Sequence, residues 1–240
     1  KWNEAKDVLS QLIGKYSLLP SIGQVFDVNN KNNAEIIFAV QFNKDIVNEG
    51  HAYWYDITNL TDESGQAEAL VNCFTPGDTR KEMITYVKAE SKTYLMTKFL
   101  DTKNVSFNQV GNDQIILRYA DVLLMYAEAL NELGYDASEG SIALKQLNAT
   151  RTRAGLTELT AADVPTQESF RKAILDERQK EFPYEGHRWF DLVRMGYAKS
   201  VLATQGLNIQ DYQLLFPIPQ TEIEKVGNSK ILWQNPGYDK

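Results

Sequence analysis

At 240 residues, with 43% hydrophobic and 24% charged side chains, the chain can bury a substantial core and has the composition of an ordinary soluble globular protein. A formal net charge of −7 with no basic run excludes a nucleic-acid surface, which needs clustered Lys and Arg. Cys73 has no cysteine to pair with inside the chain, and His51 and His187 fall outside any metal-ligand spacing, so a structural zinc site is excluded and no metal ligand is expected.

Trp2, Ala5, Leu9 and Leu12 recur at helical spacing ahead of Gly14, which predicts an amphipathic helix over residues 2–13 with an apolar face in need of a partner. The opening residues carry neither an apolar signal core nor a lipid-acceptor cysteine, and no stretch is apolar for long enough to span a bilayer. Residues 35–40 form a β-branched and aromatic run suited to a short buried strand. From residue 43 to 79 the chain holds Gly50, Gly65, Pro76 and Gly77 among many Asn, Asp and Thr, which predicts a long irregular excursion. Residues 81–110 fit strand or helix equally well.

Ala120, Leu123, Ala127 and Leu130 form one stripe, with Tyr119, Val122 and Tyr126 beside it, predicting a helix over 116–133 buried on two sides. A partner over 139–154, with Ile142, Leu144 and Leu147 inward, would fold back as a helix hairpin. Helices over 166–182 and 187–195 continue the pattern. After Gly196 the spacing is lost, and Pro217, Pro219 and Pro236 predict an extended strap that lies on the helices.

Charged residues concentrate in the later helices. Glu177 and Glu181, at i and i+4, share one helix face, and with Glu185 they invite a hydrolase reading, since glycoside cleavage uses two carboxylates. Arg151, Arg153, Arg178 and Arg188 offer neutralising partners, nearby positive charge opposes the raised pKa that a catalytic acid needs, and Arg118 is expected to serve the scaffold with them. Structural ion pairing is therefore the expectation for Glu177 and Glu181. Glu128 is expected to meet Arg151 or Arg153 across a helix seam. His187 has no nucleophile to activate and is assigned to packing. No residue is expected to be catalytic.

The excursion differs, because His51, Tyr53, Trp54, Tyr55 and Phe74 sit among polar residues where no core periodicity demands them. Sugar rings stack their C–H faces on Trp and Tyr, and Asn and Asp bind the hydroxyls. The expected ligand contacts are Trp54, Tyr53, Tyr55 and His51, with Trp54 foremost and Tyr53 and Tyr55 as alternative loop anchors. An aromatic face that removes about 50–100 Å² of apolar surface from water contributes roughly 1–2.5 kcal/mol. Since a millimolar complex needs about 4 kcal/mol net, two or three such contacts predict weak capture.

Four blocks carry a family likeness in order. They are Leu117-Arg118-Tyr119-Ala120-Asp121-Val122-Leu123-Leu124-Met125-Tyr126-Ala127-Glu128-Ala129; Leu147-Asn148 through Arg151, Arg153, Ala154 and Gly155; residues 170–196, with Glu177-Arg178, Glu181-Phe182-Pro183-Tyr184-Glu185-Gly186-His187-Arg188-Trp189-Phe190-Asp191 at their centre; and Leu215-Phe216-Pro217-Ile218-Pro219 with Gln234-Asn235-Pro236-Gly237-Tyr238. Together they resemble the signature of the SusD/RagB family of surface nutrient-binding lipoproteins, and Glu35-Ile36-Ile37-Phe38 extends the likeness towards the N-terminus. The resemblance implies a mainly α fold of tetratricopeptide-like helix hairpins with long irregular loops and a small β element. It implies that residues 1–240 are one compact C-terminal region, with the ligand loop at 43–79 and the family's N-terminal half, which bears the lipid anchor, absent. It also implies that Trp189, Phe190 and Leu192 are packing residues.

Functionally, the resemblance implies an outer-membrane, cell-surface subunit without cofactor. Such a subunit captures oligosaccharide and passes it to a SusC-like TonB-dependent transporter. Peptide capture, as in the RagB branch, and glycoside hydrolysis are the alternatives.

Overall fold

The computed structural model describes residues 1–51, 59–61, 66–88, 93–99, 101 and 110–238. The chain divides into two compact units, Lys1–Glu185 and Gly186–Lys240.

In the first unit, helix α1 (Trp2–Ser10) lays Leu9, with Leu12 and Ile13 beyond it, against buried Tyr119, Val122 and Leu123. Gly14, at φ +81°, ends the segment, and its N–H donates to Tyr119 Oη at 2.9 Å. The partner that its apolar face called for is thus a later helix. A short helix α2 (Ile22–Val25) precedes strand β1 (Ile36–Val40), close to its expected bounds.

The excursion contains more regular structure than its composition predicts: strand β2 (Asn59–Thr61) and helix α3 (Gln66–Asn72). The ambiguous 81–110 stretch contributes a 3₁₀ turn (Thr79–Met83), strand β3 (Ile84–Lys88), strand β4 (Thr93–Met96) and a second 3₁₀ turn (Thr97–Phe99). Strands β2, β4 and β3 form a three-stranded antiparallel sheet in that order. Ile22, Val25, Phe26, Phe74, Met83, Ile84, Met96, Phe99 and Val110 make one buried cluster.

Strand β5 (Gln114–Arg118) pairs antiparallel with β1, from Ile36 opposite Arg118 to Val40 opposite Gln114. Residues 116–118, expected to open a helix, are therefore strand. The apolar run Ile115-Ile116-Leu117 satisfies its backbone on β1, and the chain turns into helix α4 (Tyr119–Leu133) only after Arg118, whose φ of −139° is extended. Tyr119 N–H donates to Glu35 O at 2.8 Å, tying the start of α4 to the start of β1.

Helix α5 (Ile142–Arg153) begins at Ser141, whose side chain accepts from Leu144 N–H, and packs on α4 as the predicted hairpin. Helix α6 (Gln167–Glu181) opens with a reciprocal capping box between Thr166 and Ser169 and packs on both. Phe170, Ile174, Glu177 and Glu181 all point inward from α6 at 1% exposure or less. They follow the i, i+4, i+7, i+11 spacing of a buried stripe, which is apolar in its first half and acidic in its second. Among the described residues no helix is long and apolar enough to cross a membrane.

The second unit contains helix α7 (Arg188–Arg194), helix α8 (Ala198–Thr204), a 3₁₀ turn (Asp211–Leu214) and helix α9 (Gln220–Val226). The expectation of an irregular chain after Gly196 is thus corrected. Gly196 at φ +79° only separates α7 from α8, and Pro219 precedes α9 as its N-cap, where a missing N–H costs nothing. The two proline-bearing blocks embrace each other. Ile218 and Gln234 exchange two 2.8 Å bonds, Asn235 donates to Phe216 O at 2.7 Å, and Tyr238 Oη donates to Leu215 O at 3.0 Å. Leu192 is buried and Trp189 half-buried, with its ring 6.0 Å from Phe216, but Phe190 is 62% exposed and is not the packing residue expected.

Candidate functional site

The acidic face of α6 closes onto guanidinium groups gathered from across the first unit. Arg80 is fully buried; its Nε and Nη2 hold Asp78 at 2.9 and 2.8 Å, and its Nη1 reaches Glu177 at 2.6 Å and Glu181 at 3.1 Å. Arg118 forks onto Glu185 through Nε and Nη2, each at 2.7 Å, and its Nη1 bonds Glu35 at 3.0 Å and Glu181 at 2.5 Å. Arg153 bonds both oxygens of Glu35 and one of Glu181. Thr150 Oγ1 donates to Glu177 at 2.9 Å. Lys98, buried beneath Phe26 and Phe99, donates to Glu185 and to the carbonyls of Glu181 and Pro183. Five cations (Arg80, Lys98, Arg118, Arg151, Arg153) thus meet five carboxylates (Glu35, Asp78, Glu177, Glu181, Glu185).

This geometry decides what Glu177 and Glu181 can do. Burial alone would raise the Glu181 carboxyl, but Arg153, Arg118 and Arg80 outweigh it and hold the group far below the usual carboxylate range. Glu185 is likewise lowered, with burial overcome by Arg118 and Lys98. A general acid for glycoside cleavage must keep its proton near neutrality, and Glu181 gives its proton up far below that. The pairing expected for Glu177 and Glu181 is observed. The arginines expected to meet Glu128 sit on other carboxylates: Arg153 on Glu35 and Glu181, and Arg151 nearest Glu177 at 3.7 Å. Arg178 bonds Asp121 at 2.6 Å and lies over the Phe182 ring. Sequence reasoning missed Glu35, Asp78, Arg80 and Lys98, which join the network from segments with no helical periodicity.

An open cleft of about 370 Å³ lies elsewhere in the first unit, walled by Asn29, Lys31, Gln41, Phe42, Asn43, Lys44, Asp45, Glu49, Asp101 and Gly111. That volume falls at the small end of the range for small-molecule sites. Gly111 has no Cβ where one would come within 3.3 Å of the Lys44 stem, so the two walls meet closely there. Of the four expected ligand contacts, His51 is described, half-buried behind this cleft. Its ring packs on Phe42 with centroids 4.2 Å apart, its Nε2 is 2.8 Å from Asn112 O, and its backbone pairs with Val110. Tyr53, Trp54 and Tyr55, which follow directly, lie outside the described residues. Phe42, which the sequence reading passed over, is the aromatic among the described residues that line the cleft.

Residues 85–238, well over half of the chain, match the SusD family (SusD_RagB). The chain belongs to that family. It is 28% identical to the SusD-like protein P25 of Formosa agariphila, over 92% of this chain and 52% of the relative. It is 30% identical to the starch-binding protein SusD of Bacteroides thetaiotaomicron, over 58% of this chain and 24% of that protein. Among solved structures, the surface glycan-binding protein A of Bacteroides fluxus superimposes with a TM-score of 0.78 at 27% identity, covering 99% of this chain and 58% of that one. The chain thus spans about half the length of these SusD-family relatives. The mainly α hairpin architecture with a small β element is the fold of that family, and the block that carries Glu177, Glu181 and Glu185 is in this chain the keystone of a buried ionic lattice.

Proposed function

We propose that this chain is part of a cell-surface glycan-binding subunit. It captures an oligosaccharide without covalent chemistry or cofactor and passes it to a TonB-dependent outer-membrane transporter of the SusC type. In this reading the subunit is held at the outer membrane by a lipid anchor on polypeptide beyond the 240 residues, and the present chain is the C-terminal region of that subunit. Two relatives carry names that record glycan binding, the starch-binding SusD and the surface glycan-binding protein A of Bacteroides fluxus.

The observation that carries the reading is a separation of chemistries. The carboxylates that could have cleaved a sugar are sealed behind arginine, while an open cleft lined by Phe42 and carboxamides stands at the stem of the segment that holds Tyr53, Trp54 and Tyr55. Aromatic and amide side chains are what a sugar's C–H face and hydroxyls require.

Purified protein tested on paired glycan and peptide arrays, with Trp54→Ala alongside, checks this. Binding to oligosaccharides that Trp54→Ala weakens severalfold is expected. Binding to peptides alone, or turnover of any oligosaccharide, would overturn the reading. Co-purification with a SusC-type transporter tests the hand-over separately.

A further inference from the structure

Two lysines stand on the cleft wall, and both ammonium groups are engaged. Lys31 Nζ donates to Asp113 Oδ1 at 2.5 Å, to Gly111 O at 2.7 Å and to Phe42 O, which uses all three of its protons. Lys44 Nζ is 3.0 Å from Asp45 Oδ1. Glu49 and Asp101 add further carboxylates to the same wall. A uronate or sulfate entering here would lose hydration, approach carboxylates and find neither ammonium without a carboxylate already on it.

Phe42, one of the lining residues, is held in place before any ligand arrives. Both backbone polar groups of Phe42 are held by the same ion pair: its N–H donates to Asp113 Oδ1 at 3.1 Å, and its carbonyl accepts from Lys31. Asp113 is 8% exposed, so the carboxylate side of this clamp is buried, while Lys31 stays partly open to solvent. On the ring, His51 packs at 4.2 Å and is itself tied to Asn112 O. An aromatic side chain held at backbone and ring pays little ordering cost when a ligand stacks on it. Gln41, on the near side, is exposed, and Asn43 spends its Oδ1 on Asp45 N–H at 2.9 Å, leaving its amide N–H₂ to donate.

We propose that this cleft is a subsite for an uncharged sugar residue, stacked on Phe42 and hydrogen-bonded by the carboxamides of Gln41 and Asn43, and that it discriminates against uronic and sulfated glycans. Lys31 and Asp113 are positioning residues that aim Phe42, and His51 supports the ring from behind. The proposal rests on the glycan-capture reading above and narrows it to a class of ligand and a place on the chain.

Calorimetric titration of the whole chain tests it, using neutral laminari-, malto- and xylo-oligosaccharides against oligogalacturonates and sulfated oligosaccharides. Binding to at least one neutral series is expected, with acidic probes at least tenfold weaker. Phe42→Ala should weaken neutral binding tenfold or more. Gln41→Ala, at an exposed position that the fold does not depend on, should weaken it about threefold with the melting temperature unchanged. Tighter binding of the acidic probes overturns the proposal and leaves glycan capture standing. Neutral binding untouched by Gln41→Ala and by a folded Phe42→Ala overturns it too and puts the sugar elsewhere on the chain. Silence towards both glycan classes removes glycan capture itself.

Discussion

Glu181→Gln is the most informative single change in this protein. The substitution keeps the size and shape of the side chain and removes one charge from a carboxylate that is 0% exposed and touches Arg80, Arg118 and Arg153 together. Each arginine keeps another partner: Asp78 and Glu177 for Arg80, Glu35 and Glu185 for Arg118, and Glu35 for Arg153. The lattice is nonetheless left with one positive charge in excess, away from water. Breaking a buried pair by neutralising one partner costs about 3–5 kcal/mol. At about 2–4 °C per kcal/mol for a domain of this size, the melting temperature should fall by roughly 6–20 °C. Glu168→Gln is the internal control. Glu168 is 65% exposed and pairs with Arg171 on the same helix, so its loss should cost about 0.5 kcal/mol or less. Thermal and urea unfolding, followed by circular dichroism, read both variants. If Glu181→Gln were no more costly than Glu168→Gln, the carboxylate would not be the keystone described here, and its burial among guanidiniums would need another account.

The other predictions follow from the same geometry. Glu181 and Glu185 titrate below their unfolded value of about 4.5, so their stabilisation is complete above that pH and drains away as pH falls through the folded values. Melting temperature should hold steady near neutrality and drop steeply below about pH 4.5, with a shallower drop in Glu181→Gln; parallel acid profiles would contradict the assignment. Lys98 adds a second window, in the alkaline range. Burial, opposed by Glu185 and reinforced by Arg118, lowers its ammonium to about 8 from 10.5. The unfolded chain therefore binds more protons between those values, and stability should rise with pH across that window by up to about 3 kcal/mol relative to Lys98→Met. Identical alkaline profiles for the two proteins would refute it. In the second unit, a Cβ on Gly237 would stand 2.4 Å from Tyr212 Cγ, at φ +94°. Gly237→Ala should cost about 1–3 kcal/mol locally and expose residues 212–238 to limited proteolysis, and an unchanged digestion pattern would show that this turn does not depend on glycine.

The sequence disclosed the helices whose inward stripe is apolar and whose ends carry a cap. Ser141 and Thr166 mark the starts of α5 and α6 within three residues of expectation, because a hydroxyl N-cap is a local signal. Periodicity failed where strand and helix share a vocabulary. Ile115-Ile116-Leu117 would serve either, and only β1, some seventy-five residues earlier in the chain, makes it a strand. Short elements were also lost: α8 and α9, with seven residues each, are too brief to show a repeat. The ionic lattice was half legible. Glu177 and Glu181 continue the stripe begun by Phe170 and Ile174, so their burial could be inferred, but Glu35, Arg80 and Lys98 are brought in by tertiary structure alone. Phe42 escaped because a single phenylalanine in a polar run looks like a loop anchor until Lys31 and Asp113 are seen to hold it.

The β1–β5 ribbon explains how the lattice and the cleft belong to one design. At one end, Arg118, opposite Ile36, and Glu35, next to Ile36 in the chain, enter the ion network with Glu181. At the other end, just past Val40 opposite Gln114, Asp113 holds the backbone N–H of Phe42, which lines the cleft. Five residues of extended chain separate the two, roughly 16 Å. A buried lattice of this kind adds little net stability over an apolar core, but it closes only when six distant segments arrive in register, and so it specifies one geometry for the ribbon. In the proposed reading the lattice positions the ribbon that carries Phe42 without touching the ligand, and the cleft would bind without sharing the carboxylates that hold the fold. That division suits the proposed role, in which a sugar is gripped weakly enough to be released. It also implies that conservative changes in the lattice, such as Glu181→Gln, lower the melting temperature while leaving the affinity of the folded fraction within about twofold, whereas changes at Phe42 or Gln41 act on affinity first.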